Sequence, residues 1–434
     1  MGIIPISSQL RTMDLTSDFS SDFLFFYGMS LQLQGNYLQA GEQFEQFKLS
    51  AKSKLYERYE LLAKKYTKEC QGANEILAIS HRVWVDNIAL NTEFDDWSPC
   101  LSADGELLIF TSNKPNENQA NEFGIYDQDI YSSTLNARKF EAVLPVSELN
   151  TENNDVAGGL SYDGQRLLIF KQEDGNTDVF ESKLNGLKWE IPTRKMGEKL
   201  RGGNTDGNET FASFDPPDVK VYYITDGGYS GNKNIYFSGV MNRERNLWGK
   251  GQSAGHEINT NFQEGSVYIH PDGKAMYFSS QGHNTLGGYD IFVSYVDDLG
   301  HWGDPVNLGY PINTPYDDLF YSATASGRYA YIASNRAGGL GGLDIYKSDL
   351  NEENGIYVSA INLKSPINSS ADDFGMIVDE NDKGFLTSNR IIGIKEDNKK
   401  RVKLNGSDNI FWFGLPPLVL TLQGVITDTK TGDV

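Results

Sequence analysis

Three groups of residues in this chain have types and spacings that could do chemistry. The first is GQSAG at 251–255, followed at once by His256. A serine between glycines is the pattern of a nucleophile elbow, where a sharp strand-to-helix turn exposes the hydroxyl. The second is the glycine-rich stretch YIASNRAGGLGGLDIYKSDL, residues 331–350. Loops of this kind cradle phosphate with backbone N–H groups when a helix follows. The third is a set of evenly spaced acids: Asp96, Asp155, Glu209, Glu264, Asp318 and Asp373. Carboxylates converging from six points would hold a cation or a basic peptide segment.

Composition narrows the choice. The 434 residues include 59 acidic and 38 basic side chains, a formal net charge of −21. Such a surface repels nucleic acid and anionic lipid and attracts basic partners. No apolar run approaches the ~20 residues that span a bilayer. His81, His256, His270, His283 and His301 show no metal-ligand spacing, and there is no cysteine cluster. Cys70 and Cys100 fall in different parts of the chain and read as unpaired. No catalytic, cofactor-binding or metal residue is assigned on these grounds. The opening MGIIPISSQLRTMDL is too short and uncharged for a secretory signal. Either the chain is cytoplasmic or its natural start lies upstream.

The even spacing of the acids belongs to a repeat. Asn-Thr, once Asn-Ser, is followed after two residues by a polar–acidic pair in six places. These are NTEFDD from Asn91, NTENND from Asn150, NTDGNE from Asn204, NTNFQE from Asn259, NTPYDD from Asn313 and NSSADD from Asn368. Their starts lie 59, 54, 55, 54 and 55 residues apart. Each copy leads into a short apolar run, usually a turn such as SADG or HPDG, then a strand-like run such as LLIFTSN or YAYIASN. A polar or glycine-rich loop and another strand follow, as in DIFVSYV or DIYKSDL. A stretch centred on an aromatic, as in HWGDPVNLGYPINT, then reaches the next Asn-Thr. Four antiparallel strands form a sheet with two faces to bury, and radial stacking of six such sheets buries them. The fold class is therefore mainly β, a six-bladed β-propeller with an N-terminal α-helical segment.

This arrangement reinterprets the three groups. GKGQSAGHEINT aligns with GDPVNLGYPINT of the next unit, so Ser253 falls at an ordinary blade position. The glycines at 338–342, and GGYD at 287–290, connect second and third strands. Asp344 breaks the G-x-G-x-x-G spacing, no helix follows, and tight connections at positive φ are the expected use. The six acids precede the innermost strands, which leaves two readings. They form a ring at a channel mouth, or each accepts backbone N–H groups and holds a strand entry. The sixth unit shows only three strands, so residues 82–89 are expected to supply its outer strand and close the ring.

The expected organisation is an extension at 1–20, a helical segment at 21–78, the propeller at 79–416 and the start of a truncated β-sandwich at 417–434. In the helical segment Leu24, Tyr27, Gly28 and Leu31, a GNY turn, then Ala40, Phe44 and Phe47 recur at helical spacing. That pattern resembles a tetratricopeptide repeat, with Leu24 where tryptophan is usual. The blade text SNR…GG.DIY…W..PVNLG..INT resembles the WD-like repeats of the TolB propeller class. Gly424, Asp428, Thr431 and Gly432, with Ile426 in a valine place, resemble the opening of a carboxypeptidase-regulatory-like domain. In this order the parts resemble the OmpA-family envelope proteins of Bacteroidota, including a component of type IX secretion.

The resemblance implies a non-enzymatic scaffold, periplasmic and associated with the outer membrane. Its partners would be envelope or secretion-system proteins. Peptidoglycan would be bound only through a C-terminal domain not present here. The alternative is a ligand-binding propeller that takes glycan or peptidoglycan fragments on loop aromatics such as Tyr229 or Tyr289. A hydrolase would rest on GQSAG alone.

Overall fold

The computed structural model describes residues 21–414 except 50–53, 79–82, 103, 116–119, 122–123, 137–138, 162, 174, 193–204, 206, 217–218, 228–230, 245–246, 325, 352–355, 380–382, 392–394, 398–399 and 403–406. The expected extension at 1–20 and the sandwich-like segment at 417–434 lie outside the described residues.

Six antiparallel sheets follow the six repeat signals. In the first blade Asp96–Leu101, Leu107–Ser112 and Asp129–Asn136 pair in order, and Lys139–Phe140 and Leu144–Pro145 complete the outer edge. The innermost strands of the next five blades are Asp155–Leu160, Glu209–Phe214, Glu264–Ile269, Asp318–Ala323 and Asp373–Val378. Each acid of the repeat signal is thus the first residue of an innermost strand. The second strands read as continuous apolar runs because neighbouring blades cover both their faces. Leu108, Ile109 and Phe110 are all fully buried, as are Leu167, Leu168 and Ile169.

The core lies between blades. Ile109 and Ile130 of the first blade pack with Leu167, Ile169 and Trp189 of the second. The outer-edge aromatics face the preceding blade, as Trp189 does, Trp248 and Tyr357. Two tryptophans also bond there: Trp248 Nε1 donates to Glu181 Oε2 at 2.6 Å and Trp302 Nε1 to Tyr222 Oη at 3.2 Å.

The sixth blade closes the ring as the sequence indicates. Its first three strands are Asp373–Val378, Gly384–Ser388 and Asn409–Gly414, and its outer strand is Trp84–Asn87 from before the first blade. Trp84 stands opposite Gly414 and Asn87 opposite Phe411. Val83 and Val85 pack into the core between the fifth and sixth blades, and Ile88 and Leu90 into that between the sixth and first.

Among the described residues three helices precede the ring: α1 (Ser21–Leu33), α2 (Tyr37–Leu49) and α3 (Lys54–Ala78). Gly28 lets α1 and α2 cross closely, since a Cβ there would stand 2.7 Å from the Phe44 ring. Phe25, Phe44 and Phe47 centre the helical core, and Leu340 of the fifth blade is buried in it. Ser370 of the sixth blade donates its hydroxyl to the Leu33 carbonyl at 2.8 Å. The helices therefore sit over the fifth and sixth blades, on the end of the ring where the innermost strands begin. Among the described residues no helix is long and apolar enough to cross a membrane.

Two outcomes test these contacts. Val85→Asp places a charge in the closing core and is expected to cost about 2 kcal/mol or more. The propeller should then melt several degrees lower in one cooperative step; unchanged melting would show that the closing strand does not hold the ring. Leu340→Ala should cost about 2–5 kcal/mol. Hydrogen exchange should quicken in α1–α3 and stay unchanged in the first three blades.

Candidate functional site: the entrance face

The six acids begin where the chain enters each innermost strand, and all six are fully buried. Four residues before each stands the Thr or Ser of the repeat signal. Its hydroxyl donates to the carboxylate in every blade, at 2.6–2.9 Å. In five blades its backbone N–H does so as well, at 2.5–2.9 Å. These side chains hold turns. They do not form an open ring at a channel mouth: each carboxylate has one oxygen held by its own turn and the whole side chain lies beneath the surface. Among the described residues no three His, Cys, Asp or Glu side chains gather at metal-binding distance.

The neighbouring residues complete a joint between blades. The side-chain amide of the repeat asparagine accepts from and donates to one residue of the preceding blade's third strand. Asn91 so clasps Ile410, Asn150 Ile130, Asn259 Ile235, Asn313 Ile291 and Asn368 Ile345, at 2.5–3.0 Å. Asn204 lies outside the described residues. The polar residue just before each acid accepts an N–H at the start of the same third strand. Asp95, Asn154, Gln263, Asp317 and Asp372 accept the one just ahead of the strand, and Asn208 that of Thr177, the second residue of its strand, at 2.8–3.2 Å.

The blades differ in what faces the acid's other oxygen. Lys171 Nζ lies 2.5 Å from Asp155 Oδ1, and Arg336 Nη2 lies 2.6 Å from Asp318 Oδ1. Arg390 pairs with Asp373, and Lys114 lies close enough to Asp96 for the two charges to interact. The third and fourth blades carry Gly227 and Gly282 where others carry Lys114, Arg336 and Arg390. No side chain fits there, since a Cβ would stand 2.1 Å from Thr205 Oγ1 at Gly227 and 2.5 Å from Thr260 at Gly282. Glu209 Oε2 and Glu264 Oε2 are buried without a hydrogen-bond partner among the described residues. Burial pushes both carboxyls up to about 7, against the hydroxyls that bond them.

The glycine stretch shows a second use of small residues. Only Gly338 of its four glycines has a positive φ, at 94°. The other three are required by close approach, not by φ. A Cβ would stand 1.9 Å from Asp344 Oδ2 at Gly339, 2.4 Å from the Ala371 carbonyl at Gly341 and 2.0 Å from Asp372 Oδ1 at Gly342. A strand follows the stretch, Asp344–Asn351.

Ser253 lies in the short outer segment Gln252–Ser253. It accepts from Gly255 N at 3.3 Å and from Asn259 Nδ2 at 2.9 Å. Asn307 and Asn362 accept the corresponding bonds in the next two blades. His256 is exposed and pairs with Glu257. His270 and His301 sit beside Asp272 and Asp297, His283 bonds the Ile258 carbonyl, and His81 lies outside the described residues. Cys70 and Cys100 are buried and unpaired. Tyr289 is half-buried, its ring against Gly265, and Tyr229 lies outside the described residues.

Sequence reasoning missed an aromatic collar within the ring. Phe211 and Phe320 stand with ring centroids 6.0 Å apart, and Phe320 and Phe374 5.6 Å apart, although they come from the third, fifth and sixth blades. Phe211 and Phe320 hold φ of 54° and 53° at bulges in their strands, a conformation that costs a bulky side chain energy. Its signal in the sequence is an aromatic two residues after the acid in the third and fifth blades and one residue after it in the sixth.

No family model matches the sequence, and no curated protein matches it. Among solved structures, a putative TolB from Agrobacterium tumefaciens is similar at 15% identity and a TM-score of 0.41, over 77% of this chain and 98% of that one. TolB from Acinetobacter baumannii is similar at 14% and 0.38, over 66% of this chain and 60% of that one. The periplasmic gluconolactonase of Pseudomonas aeruginosa is similar at 10% and 0.44, over 73% and 88%. The six-bladed fold rests on the sheet topology above.

The unpaired glutamates make stability depend on pH. Each carboxyl binds its proton more tightly folded than unfolded, so its contribution is complete below about pH 4.5 and is lost as pH rises through about 7. Between those values each group should lower stability by up to about 1.4 kcal/mol per pH unit. Denaturant titrations should show a shallower decline from pH 5 to 8 in the Glu209→Gln/Glu264→Gln variant than in the parent. Parallel curves would overturn this assignment.

Proposed function

We propose that this protein is a non-enzymatic interaction scaffold of the periplasm, associated with the outer membrane and serving type IX secretion. The observation that carries the reading is the entrance face. There the propeller already receives a helical segment on one blade loop through Leu340 and on the next blade through Ser370. Elsewhere on that face large apolar side chains remain exposed: Phe262 at 58%, Leu286 at 54% and Tyr310 at 85%. Apolar groups left uncovered on a rigid frame favour a protein partner. The six acids hold turns, and Ser253 takes part in a blade turn. Location and secretion partner rest on the order of parts in the sequence, which resembles that of the type IX secretion component PorE. The alternative, a glycan or peptidoglycan-fragment binder, is less favoured because Tyr289 packs against Gly265.

The test is affinity isolation of the tagged chain from crosslinked cell envelopes, read by mass spectrometry. Enrichment of secretion-system proteins is expected. Recovery of the tagged chain alone, or with cell-wall fragments, would overturn the scaffold reading in favour of the ligand-binding one.

A further inference from the structure

The fourth and fifth blades carry the same connection between second and third strands. SQGHNTLGGYD at 280–290 and SNRAGGLGGLD at 334–344 have equal length and share L-G-G-x-D. The backbone is held in the same way in both. Leu286 N donates to Asp290 Oδ2 at 2.8 Å and Leu340 N to Asp344 Oδ2 at 2.9 Å. Gly288 N donates to the Tyr316 carbonyl at 3.1 Å and Gly342 N to that of Ala371 at 3.2 Å. The glycines press on the next blade alike: a Cβ at Gly288 would stand 2.0 Å from Asp317 Oδ1, as one at Gly342 would from Asp372 Oδ1. Each loop therefore presents a leucine at the same position on the entrance face, Leu286 and Leu340.

The two leucines differ in one respect. Leu340 is fully buried in the core of α1–α3, whereas Leu286 is 54% exposed. A loop built to place a leucine in a helical socket recurs one blade away with its leucine uncovered.

We infer that the Leu286 loop docks a helical hairpin of another protein, one whose apolar core takes in a leucine as that of α1–α3 takes in Leu340. The inference rests on the scaffold reading and names the class of partner. The intramolecular contact at Leu340 is the precedent, and the new site adjoins it, so a second hairpin would stand beside the first. A second copy of this chain fits less well, since its own helices already enclose Leu340. The position of Ser370, which bonds the Leu33 carbonyl, is taken at the new site by exposed Pro315, which has no hydrogen to donate. The partner hairpin would meet that edge with apolar atoms. With a net charge of −21 on this chain, its rim would be basic or neutral.

The test places p-benzoylphenylalanine at 286 in the full chain, in cells, and irradiates. The same probe at 340 is the control and should crosslink within the chain to residues 21–78. At 286 the crosslinked peptide should come from a two-helix hairpin of another protein. Leu286→Asp should lower adduct formation from a probe at Thr285 at least tenfold. Crosslinks from 286 to non-helical segments, to a second copy, or to nothing would overturn the inference. Adducts from 262 or 310 without one from 286 would do so while leaving the scaffold reading intact. No adduct from any of the three would sink both.

Discussion

Neighbouring sheets in a ring have no backbone ladder between them, so something else must fix the angle and height at which they meet. Here it is a buried polar joint. The repeat asparagine reads both backbone groups of one residue in the preceding blade, as Asn313 does at Ile291. The residue before the acid accepts an N–H at the start of that strand, as Asp317 does from Tyr289. The acid's own N–H donates to the Tyr289 carbonyl at 2.7 Å. Each bond contributes only about 0.5–1.5 kcal/mol net, but any one left unmade in the interior would cost more. The joint therefore selects one register between blades, while the apolar side chains behind it supply most of the free energy. Ring closure uses the same device, with Asn91 on Ile410 across 319 residues of sequence.

The joint also fixes what the carboxylates can do. A side chain that accepts two bonds from its own turn keeps one oxygen for other contacts. In the second, fifth and sixth blades a cation meets it, from Lys171, Arg336 or Arg390. The guanidinium of Arg336 also bonds the carbonyls of Pro311 and Ile312 and lies 4.4 Å from the Tyr346 ring. That set satisfies a buried charge on every side, which a lone ion pair would not. The third and fourth blades take the other course. They omit the cation, carry glutamate for aspartate, and leave a carboxyl that burial makes easier to protonate.

The six-fold repeat was legible because the joint needs the same residue types in every blade, so function at the joint is written as spacing. The closing strand was legible for the same reason, since Val83 and Val85 had to fill a core that the sixth unit left open. The role of the acids was not, because Asp96 in an open ring and Asp96 under its own turn occupy the same place in the sequence. Burial decides between them, and burial depends on neighbours. The glycines misled in kind: positive φ accounts for Gly338, but Gly339, Gly341 and Gly342 answer to atoms up to thirty residues away in the chain. Tyr289 could be placed in a loop, yet its cover comes from Gly265.

Covering of a loop depends on tethering as well as on its own sequence. The helices end at Ala78 and the closing strand begins at Trp84, and the chain between those two residues can reach at most about 22 Å. The closing strand is fixed to the outer edge of the sixth blade, so the C-terminal end of α3 is confined to its neighbourhood. The helices reach the Leu340 loop of the fifth blade, where an equivalent loop one blade further on stays open. Repetition made both loops, and the tether decided which of them this chain covers for itself. The same reasoning separates the two parts of the entrance face. Its polar rim at each joint is committed to holding the ring, so recognition falls to the side chains that the loops raise above it.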